Sequence, residues 1–382
     1  DCRNNLRYTA KGEVCYPAAA LGIVYSPKES GASRQRFFDM HTDDVLSLAM
    51  HPQGKVVATG EIGRTPKIIV WDTDTMESLA ILKGFHKRGV TLLAFSEGRG
   101  DRLASVGLDN DFSIAVYAWE QKVCLATSKG SKSRILGLRF GKDINTLVTC
   151  GVRHVSFWEI KGTTLKSQKG LFGRSKNAMQ TAVTIGTVND SEKGPVIVTG
   201  MANGQIYTWD THKLKKKTPK FNPKKEQDWT NKKEITKGKQ RAHSKAVTAM
   251  WSYSDGLISG SADGTIIMWD NDLTPLRIVD ATKLWWNLVD PTTEAQVVKK
   301  DDIDRRRMSK NPGIQSLSIK DGKLLVGTKG CEIIELDTSD FKKQDWTNKK
   351  EIELKKIPIM HGHCSGETWG LARHPSKAEF VT

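Results

Sequence analysis

The feature that most constrains the fold is a degenerate repeat that recurs along most of the 382-residue chain. The clearest unit has a histidine, His243, then an apolar run that leads to Asp263-Gly264, and then an apolar run that ends in Trp269-Asp270. Short apolar runs separated by Gly, Asp and Asn indicate strands and turns. A unit of about 40 residues with longer insertions is typical of the WD repeat. Five units end in a tryptophan, at Trp71, Trp119, Trp158, Trp209 and Trp269.

The repeat predicts an all-β fold, a WD-repeat β-propeller of about seven four-stranded blades. One blade cannot bury both of its faces, and blades that stack radially bury them against each other. Because an exposed blade edge favours aggregation, we expect the last blade, truncated at Thr382, to be completed by sequence beyond residue 382 or by the 12–25 segment. We expect successive blades to begin near His41, His86, Ser131, Thr181, His243, Ile314 and His363.

Four residues of the clearest unit have the types and the spacing of the buried hydrogen-bond chain of a WD repeat. An indole N–H, a hydroxyl, an imidazole and a carboxylate can satisfy one another inside a blade. A serine, a histidine and an aspartate could also form a hydrolytic triad, but no Gly-x-Ser-x-Gly elbow accompanies them here. We therefore interpret His243, Ser259, Asp263 and Trp269 as a structural tetrad without a catalytic role.

The short motifs that mark common cofactor and metal sites are missing from the sequence. It lacks the Gly-x-x-x-x-Gly-Lys-Ser/Thr loop, His-Glu-x-x-His and a Gly-x-Gly-x-x-Gly that opens a helix. Its six cysteines form no Cys-x-x-Cys pair and are too few for a disulfide framework, so we expect reduced thiols. His361, His363 and Cys364 lie close together, but His363 opens a blade. We predict no metal site, no cofactor and no enzymatic activity.

The net charge of +16 favours a polyanionic partner, which could be an acidic protein surface, a nucleic acid or an anionic membrane. No apolar run approaches the roughly 20 residues that cross a bilayer, and we expect no membrane partner. Aromatic residues make up 7% of the chain and form no stacking-platform motif, which disfavours nucleic acid.

A basic insertion interrupts the repeat between Trp209-Asp210 and His243. It covers residues 213–241 and has twelve Lys and Arg residues against three acidic residues, a net charge of +9. Two interpretations remain open: a solvated, mobile loop, or a basic arm that binds an acidic partner. The candidate partner-binding residues are Lys213, Lys215, Lys216, Lys217, Lys220, Lys224, Lys225, Lys232, Lys233, Lys237, Lys239 and Arg241.

Nine residues of this insertion, 227–235, recur identically at 344–352. Both copies follow the last strand of one unit and precede the opening histidine of the next, and each puts a tryptophan in a basic context. The two copies are either a shared binding element or a duplication without function.

The N-terminal segment carries the most specific signal. Residues 1–8, Asp-Cys-Arg-Asn-Asn-Leu-Arg-Tyr, and residues 18–25, Ala-Ala-Ala-Leu-Gly-Ile-Val-Tyr, resemble the second half of the HELP motif of the echinoderm microtubule-associated protein-like family. Residues 41–45, 150–158 and 361–372 resemble parts of the first, third and seventh blades of that family's propeller. The resemblance covers nearly the whole chain. Three features depart from the family pattern: the first half of HELP is absent, the seventh blade is cut short, and the 213–241 insertion is longer and more basic.

The resemblance implies a division into residues 1–40, a partial HELP segment packing on the propeller, and residues 41–382, the propeller itself. In that family the HELP segment and two tandem propellers form one unit that binds tubulin. The resemblance therefore implies a non-catalytic microtubule-associated protein of the cytoplasmic cytoskeleton or the ciliary axoneme, with tubulin and other microtubule-associated proteins as partners. The alternative is a general WD scaffold that assembles another complex, for instance on RNA. The HELP segment favours the first interpretation, because a generic scaffold has no reason to carry it.

Overall fold

The computed structural model describes residues 3–29, 34–172, 181–190, 194–218, 243–253, 255–281 and 312–338, and the backbone of residues 356–360, 372–373 and 380–381. Nearly all regular structure in these ranges is β-strand. The strands are runs rich in Val, Ile and Leu, which suit a pleated surface. Gly54 and Gly264 have a positive φ and lie in turns between strands, where glycine adopts this conformation without strain.

Seven antiparallel four-stranded sheets follow one another along the chain, and within each sheet consecutive strands are neighbours. We number them blades 1 to 7. Blade 1 contains β1 (Arg7–Tyr8), β2 (Val14–Ala18), β3 (Leu21–Tyr25) and β4 (Gln35–Phe38). Blade 2 contains β5 (Val45–Met50), β6 (Val56–Gly63), β7 (Ile68–Asp72) and β8 (Ser78–Leu82). Blade 3 contains β9 (Arg88–Phe95), β10 (Arg102–Gly107), β11 (Ile114–Ala118) and β12 (Val123–Ser128).

The other four blades repeat this arrangement. Blade 4 contains β13 (Ile135–Phe140), β14 (Thr146–Gly151), β15 (His154–Lys161) and β16 (Thr164–Lys169). Blade 5 contains β17 (Ala182–Asp190), β18 (Gly194–Met201), β19 (Ile206–Asp210) and β20 (Lys213–Lys217). Blade 6 contains β21 (Val247–Tyr253), β22 (Gly256–Ser261), β23 (Thr265–Asp270) and β24 (Pro275–Asp280). Blade 7 contains β25 (Ile314–Lys320), β26 (Lys323–Thr328), β27 (Ile333–Asp337) and β28 (Lys356–Met360), and β29 (Ala372–Arg373) and β30 (Phe380–Val381) form a separate pair.

Apolar clusters fill the interfaces between consecutive blades. The cluster between blades 1 and 2 joins Val24 and Phe38 to Ile69 and Trp71, and equivalent clusters lie at each following interface up to blades 6 and 7. Removing this apolar surface from water is the main favourable contribution to folding. Each blade therefore contributes to two cores, as expected for radial stacking.

A seventh cluster joins the last blade to the first and closes the ring. It contains Tyr8, Val14 and Ile23 of blade 1 with Leu325 and Ile333 of blade 7, all of them buried. The buried Tyr8 hydroxyl donates a hydrogen bond of 2.7 Å to Glu335 Oε2 of blade 7. The ring is thus held by contacts between the two ends of the sheet series and leaves no open blade face there.

The all-β propeller of about seven four-stranded blades is confirmed, but the expected division of the chain differs from the structure. Residues 7–38 do not pack on the propeller as an appendage, because they form blade 1 themselves. The predicted starts at His41, His86, Ser131, Thr181, His243 and Ile314 consequently precede or open the first strands of blades 2 to 7. The predicted start at His363 lies outside the described residues, and blade 7 has all four strands without it.

Blade 1 packs against blade 2 through an aromatic contact that the sequence pattern of blade 1 does not predict. Phe38 stacks on Trp71 with ring centroids 4.6 Å apart and planes within 2° of parallel. Gly22 lies beside the same indole, and a Cβ at this position would come within 2.5 Å of the Trp71 ring. The absence of a side chain at Gly22 therefore lets the two blades approach each other.

Candidate functional site

The predicted tetrad lies inside blade 6 as one chain of hydrogen bonds. The Trp269 indole Nε1 donates to Ser259 Oγ at 2.7 Å, and the same oxygen lies 2.7 Å from His243 Nε2. His243 Nδ1 lies 2.6 Å from Thr265 Oγ1, which donates to Asp263 Oδ1 at 2.6 Å. Thr265 thus bridges the histidine and the aspartate, a member that the sequence interpretation did not include.

Burial sets the protonation of this chain. Burial lowers the pKa of His243 to about 4, although the negative charge of Asp263 opposes this shift. For Asp263, burial raises the pKa, but His243 and hydrogen bonds from Thr265 and Ser244 outweigh it and bring the pKa to about 2. At neutral pH the imidazole is therefore uncharged and the carboxylate is ionised. The Ser259 hydroxyl is fully buried between two partners, so it is not presented to a substrate.

Blade 2 contains an equivalent chain in which the residue types differ. His41 Nδ1 lies 2.9 Å from Glu61 Oε2, and His41 Nε2 lies 2.6 Å from Thr59 Oγ1. Trp71 Nε1 donates to the same threonine oxygen at 3.0 Å. Glu61 therefore takes the place of the aspartate and Thr59 that of the serine. A search for an Asp-Gly turn misses this chain, because Glu61 lies within β6 itself.

In blade 3 the repeat predicts the terminal aromatic residue at Trp119, and the structure shows that this prediction is wrong. His86 contacts Ser105 at 2.6 Å and Ser113 at 3.0 Å, and Tyr117 instead of Trp119 occupies the place of the terminal indole in β11. Trp119 lies beyond the end of β11 and donates to the carbonyl of Gly100 at 2.8 Å. A tryptophan just after the strand end resembles the terminal tryptophan of the repeat, although Tyr117 occupies that position.

The basic insertion begins later than the sequence suggested. Lys213, Lys215, Lys216 and Lys217 lie on β20, which pairs with β19 as the outer strand of blade 5. A four-stranded blade needs one more strand after Trp209-Asp210, and β20 supplies it. Lysines on an outer strand also disfavour pairing with other chains. The remaining candidates lie outside the described residues: Lys220, Lys224, Lys225, Lys232, Lys233, Lys237, Lys239 and Arg241.

Two of these lysines make contacts with neighbouring acidic groups or carbonyls. Lys215 Nζ lies 3.1 Å from Asp190 Oδ2, and Lys216 Nζ donates to the carbonyl of Asp272 at 2.6 Å. Both lysines are exposed, so these contacts contribute little to stability. Lys213, Lys215 and Lys216 are exposed, so β20 places cations at the outer rim of blade 5.

A cavity of about 720 Å³ runs through the centre of the ring. The first strands of all seven blades line it, which places it on the ring axis. Among the described residues, the charged lining is mostly basic, with the single carboxylate of Glu97 and five cations: Arg3, Arg7, Arg134, Arg139 and Lys320. Sequence reasoning did not find this cluster, because only ring closure brings the N-terminal arginines to β13 and β25.

The arginines of this cavity have unusual surroundings. The Arg7 guanidinium lies over the Trp251 ring, 5.1 Å from its centroid, and donates to the carbonyl of Leu6 at 2.8 Å. Burial, and to a smaller extent the nearby positive charge of Arg139, lower the pKa of Arg7 to about 10. Arg139 Nη2 donates to Glu97 Oε1 at 2.9 Å, whereas its buried Nε has no hydrogen-bond partner among the described residues.

A second cavity, of about 570 Å³, lies between blades 4 and 5. Phe157, Trp158 and Trp209 line it together with Lys142 and Lys215. The same rings belong to the cores of their own blades, so this cavity is a gap in blade packing with a basic rim.

The described residues hold no group of three or more His, Cys, Asp and Glu side chains arranged to bind a metal. The predicted absence of a site at His361, His363 and Cys364 cannot be compared, since these residues lie outside the described ranges. Four cysteines are described, and all are free thiols: Cys15 and Cys150 are buried, and Cys124 and Cys331 are exposed. Across the described part of the chain, no helix is long and apolar enough to cross a bilayer.

Comparison with known families matches two models to adjoining parts of the chain. Residues 1–23 match the HELP motif. Residues 34–336 match the first β-propeller of the echinoderm microtubule-associated protein. The second match covers β4 of blade 1 and blades 2 to 7 up to β27, and the first covers the beginning of blade 1, so together they follow the ring that the structure shows.

Curated relatives align with the whole chain. Mouse (Mus musculus) echinoderm microtubule-associated protein-like 2 is 28% identical over 396 residues, and human (Homo sapiens) echinoderm microtubule-associated protein-like 1 is 29% identical over 395 residues. Human echinoderm microtubule-associated protein-like 4 is 30% identical over 397 residues. The chain spans 50%, 40% and 35% of the length of these three relatives. The chain belongs to the echinoderm microtubule-associated protein-like family.

Proposed function

We propose that this chain is a non-catalytic binding platform that associates with microtubules by contacting tubulin. The observation that carries the proposal is the family membership, since both the HELP segment and the first propeller match. The names of the curated relatives describe microtubule-associated proteins. Because the chain spans half or less of those relatives, tubulin contact by this part of the protein needs its own test.

Electrostatics support an acidic partner of this kind. The chain has a net charge of +16, and tubulin is strongly acidic. Opposite net charges accelerate association and stabilise the complex at low ionic strength. We assign part of this attraction to the basic segment, residues 213–241, which begins on the exposed edge strand β20 and has a net charge of +9.

The hydrogen-bond chains of the blades support a non-catalytic function. Histidines that could act as bases, His41, His86 and His243, are buried and each contacts a serine or threonine of its own blade. General acid–base catalysis needs a side chain within reach of a bound substrate. These imidazoles are instead enclosed between strands, where they link the strands of one blade.

The cellular setting follows from the partner. We propose the cytoplasmic cytoskeleton, including axonemal microtubules, and association with other microtubule-associated proteins on the same lattice. A general WD scaffold that assembles an RNA-associated complex is the competing assignment, because the positive charge suits RNA equally well.

Competition decides between these two assignments. The purified chain is mixed with polymerised tubulin in the presence of increasing RNA, and the pelleted fraction is measured. We expect the chain to pellet with microtubules and to remain bound at an RNA phosphate concentration that matches the tubulin charge. Complete displacement by RNA, with retention of the chain on an RNA affinity matrix, would favour the scaffold.

A further inference from the structure

We propose that a basic surface on blades 3 and 4, the basic arc, binds an extended acidic segment of a second partner protein. The arc consists of four exposed cations: Lys87, Arg88, Lys132 and Arg153. It lies at the end of the blades where the second and third strands of a blade turn and where each blade connects to the next. This surface is additional to the proposed tubulin contact and does not depend on it.

Backbone hydrogen bonds join the turns that carry the arc into one continuous surface. The β10–β11 turn of blade 3 lies in the middle, and it bonds to the chain before blade 3 on one side and to the chain before blade 4 on the other. The β14–β15 turn of blade 4 bonds to the same chain before blade 4. The donors and acceptors are Leu108 to Gly89, Gly130 and Ser131 to Asp111, and Val152 to Arg134, with distances between 2.9 and 3.0 Å.

The cations of the arc are available to a ligand. Lys87, Lys132 and Arg153 are exposed, and none of them has an ion pair or a side-chain hydrogen bond among the described residues. Arg88 Nη1 donates to Asn110 Oδ1 at 2.9 Å, and this neutral acceptor leaves the charge of the guanidinium uncompensated. Neighbouring cations that already have partners are not counted in the arc: Lys129 and Arg134.

The carboxylates within this surface do not neutralise the arc, because each already has its own contacts. Asp109 accepts hydrogen bonds from the hydroxyl and the N–H of Ser113, and Asp111 pairs with Lys129 at 3.4 Å. The surface has six Lys and Arg residues against these two aspartates, in the segments 85–90, 108–113, 129–134 and 151–154. A surface with this excess of positive charge attracts anionic ligands.

The spread of the cations selects an extended ligand. Packed sheets lie about 10 Å apart, so Lys87 at the start of blade 3 and Arg153 of blade 4 are separated by roughly that distance or more. A compact anion contacts the cations of one blade. An extended polypeptide advances about 3.3 Å per residue and can place carboxylates on the cations of both blades.

The middle of the arc suits a polypeptide better than a nucleic acid. Asp109 and Asp111 lie there, where a continuous phosphate backbone meets two negative charges and a peptide can place a neutral residue. The nearby aromatic residues that the structure describes, Phe85 and Phe112, pack against the blade cores and do not form a stacking platform. Val152 of the β14–β15 turn is 37% exposed and offers an aliphatic contact to a peptide side chain.

The arc and the basic segment of blade 5 lie at opposite ends of the blades. Lys215 and Lys216 of β20 contact Asp190 and Asp272, which lie where the first and second or the third and fourth strands of a blade turn. The arc lies at the other end. A ring that contacts an acidic lattice through these lysines therefore leaves the arc accessible to a second partner.

The test uses the full chain and a fluorescein-labelled ten-residue peptide of alternating glutamate and serine with blocked ends, measured by fluorescence anisotropy at low and at physiological salt. The arc variant carries Lys87→Gln, Lys132→Gln and Arg153→Gln. The matched control removes the same residue types from exposed turns at the opposite end of the blades, with Lys28→Gln, Lys122→Gln and Arg99→Gln. Lys122 also matches Arg153 in having a positive φ, 57° against 61°.

We expect the arc variant to bind the peptide about fivefold or more weakly at low salt, because three exposed ion pairs are lost. Its affinity should also depend less steeply on salt. The control should change the affinity less than about twofold. Both variants should melt as the parent does, because all six side chains are exposed. If the arc variant melts earlier, Lys132→Gln and Arg153→Gln are measured singly, each with a smaller expected loss.

Four results would overturn the proposal. One is equal affinity of the parent, the arc variant and the control for the peptide, and another is equal binding of a peptide with glutamine in place of glutamate. The third is tighter, arc-dependent binding of a single-stranded RNA oligonucleotide, which would assign the arc to nucleic acid. The fourth is loss of microtubule co-sedimentation in the arc variant alone, because the arc would then belong to the tubulin contact. We expect the arc variant to pellet with microtubules as the parent does.

Discussion

The hydrogen bond that crosses the ring closure gives the sharpest prediction about stability. The Tyr8 hydroxyl of blade 1 donates to Glu335 Oε2 of blade 7 at 2.7 Å, and both groups are buried. Tyr8→Phe removes this donor and keeps the ring. A hydrogen bond to a charged group contributes about 1.5–3 kcal/mol. Glu335 keeps a second partner, Lys323 Nζ at 2.6 Å, which limits the loss to the lower half of that range.

The expected decrease in the free energy of unfolding, about 2 kcal/mol, corresponds to a small but measurable decrease in melting temperature. At roughly 2.1 cal/mol/K of unfolding entropy per residue, a chain of this size loses about 2–3 °C in melting temperature. Differential scanning calorimetry at neutral pH measures this shift. A second measurement is hydrogen exchange, in which the amides of β2 and β26 should lose protection together, since the closure joins these two blades.

Blade 1 also provides a matched control. Tyr16 is buried to a similar degree, but its hydroxyl has no hydrogen-bond partner among the described residues. Tyr16→Phe removes a buried, unpaired hydroxyl and should leave stability unchanged or slightly higher. If Tyr8→Phe is as harmless as Tyr16→Phe, the closure between blades 1 and 7 does not rest on this contact, and the reasoning fails.

Three further predictions follow from the blades and the rim. Trp269→Ala deletes a fully buried indole and removes the donor to Ser259, which should lower the free energy of unfolding by about 3–5 kcal/mol and reduce the yield of soluble protein. Ser259→Ala should lower the melting temperature. If Ser259→Ala instead abolished a hydrolytic activity that the folded parent has, the non-catalytic interpretation would be wrong. Burial holds the folded-state pKa of His86 and of His243 at about 4, against about 6.5 in the unfolded chain, so stability is fully present above pH 6.5 and falls as the pH drops towards 4; we expect a loss of about 2 kcal/mol per histidine at pH 5, and a melting temperature that is constant between pH 7.5 and 5 would contradict it. Simultaneous Lys→Gln changes in the basic segment should weaken microtubule co-sedimentation at low salt and flatten its salt dependence while leaving the fold intact. The substituted residues are Lys215, Lys216, Lys217, Lys220, Lys224 and Lys225. The control variant carries the same charge change at exposed lysines elsewhere on the ring and should bind microtubules as the parent does. Its substituted residues are Lys28, Lys83, Lys87, Lys122, Lys132 and Lys166.

The repeat pattern predicts blades 2 to 7 because each has strands of regular length between turns of Gly, Asp or Asn. It does not reveal blade 1, which lacks both the opening histidine and the terminal tryptophan. Phe38 takes part in the blade 1–blade 2 core by stacking on Trp71, a tryptophan of the neighbouring blade. The resemblance of residues 1–25 to the HELP motif located the segment but not its role as a complete sheet.

The hydrogen-bond chain of a blade could be predicted where it contains the usual histidine, serine, aspartate and tryptophan. It could not be predicted where another residue type takes one of these places. The spacing of His243, Ser259 and Trp269 identified blade 6. Thr265 and Glu61 enter their chains through side-chain contacts with a histidine about 20 residues away, which the local repeat pattern does not contain.

The cluster of arginines that lines the central cavity could not be predicted from the sequence, for a different reason. Arg7 lies on a strand of two residues, β1, and its proximity to Arg139 exists only because the ring closes. The basic rim was visible as a run of lysines, yet the sequence placed its start in a loop. Lys213–Lys217 instead completes blade 5, since edge strands rich in lysine are compatible with sheet formation.

Saturation binding of the purified chain to polymerised tubulin tests the central claim most directly. Increasing tubulin polymer is incubated with a fixed amount of the chain, and the pelleted fraction is measured over a range of salt concentrations. The account predicts saturable binding at low salt and an affinity that falls steadily as salt rises, because a chain of net charge +16 contacts an acidic lattice. If the folded chain stays in the supernatant at every salt concentration while tubulin pellets normally, this propeller is not the part of the protein that contacts microtubules.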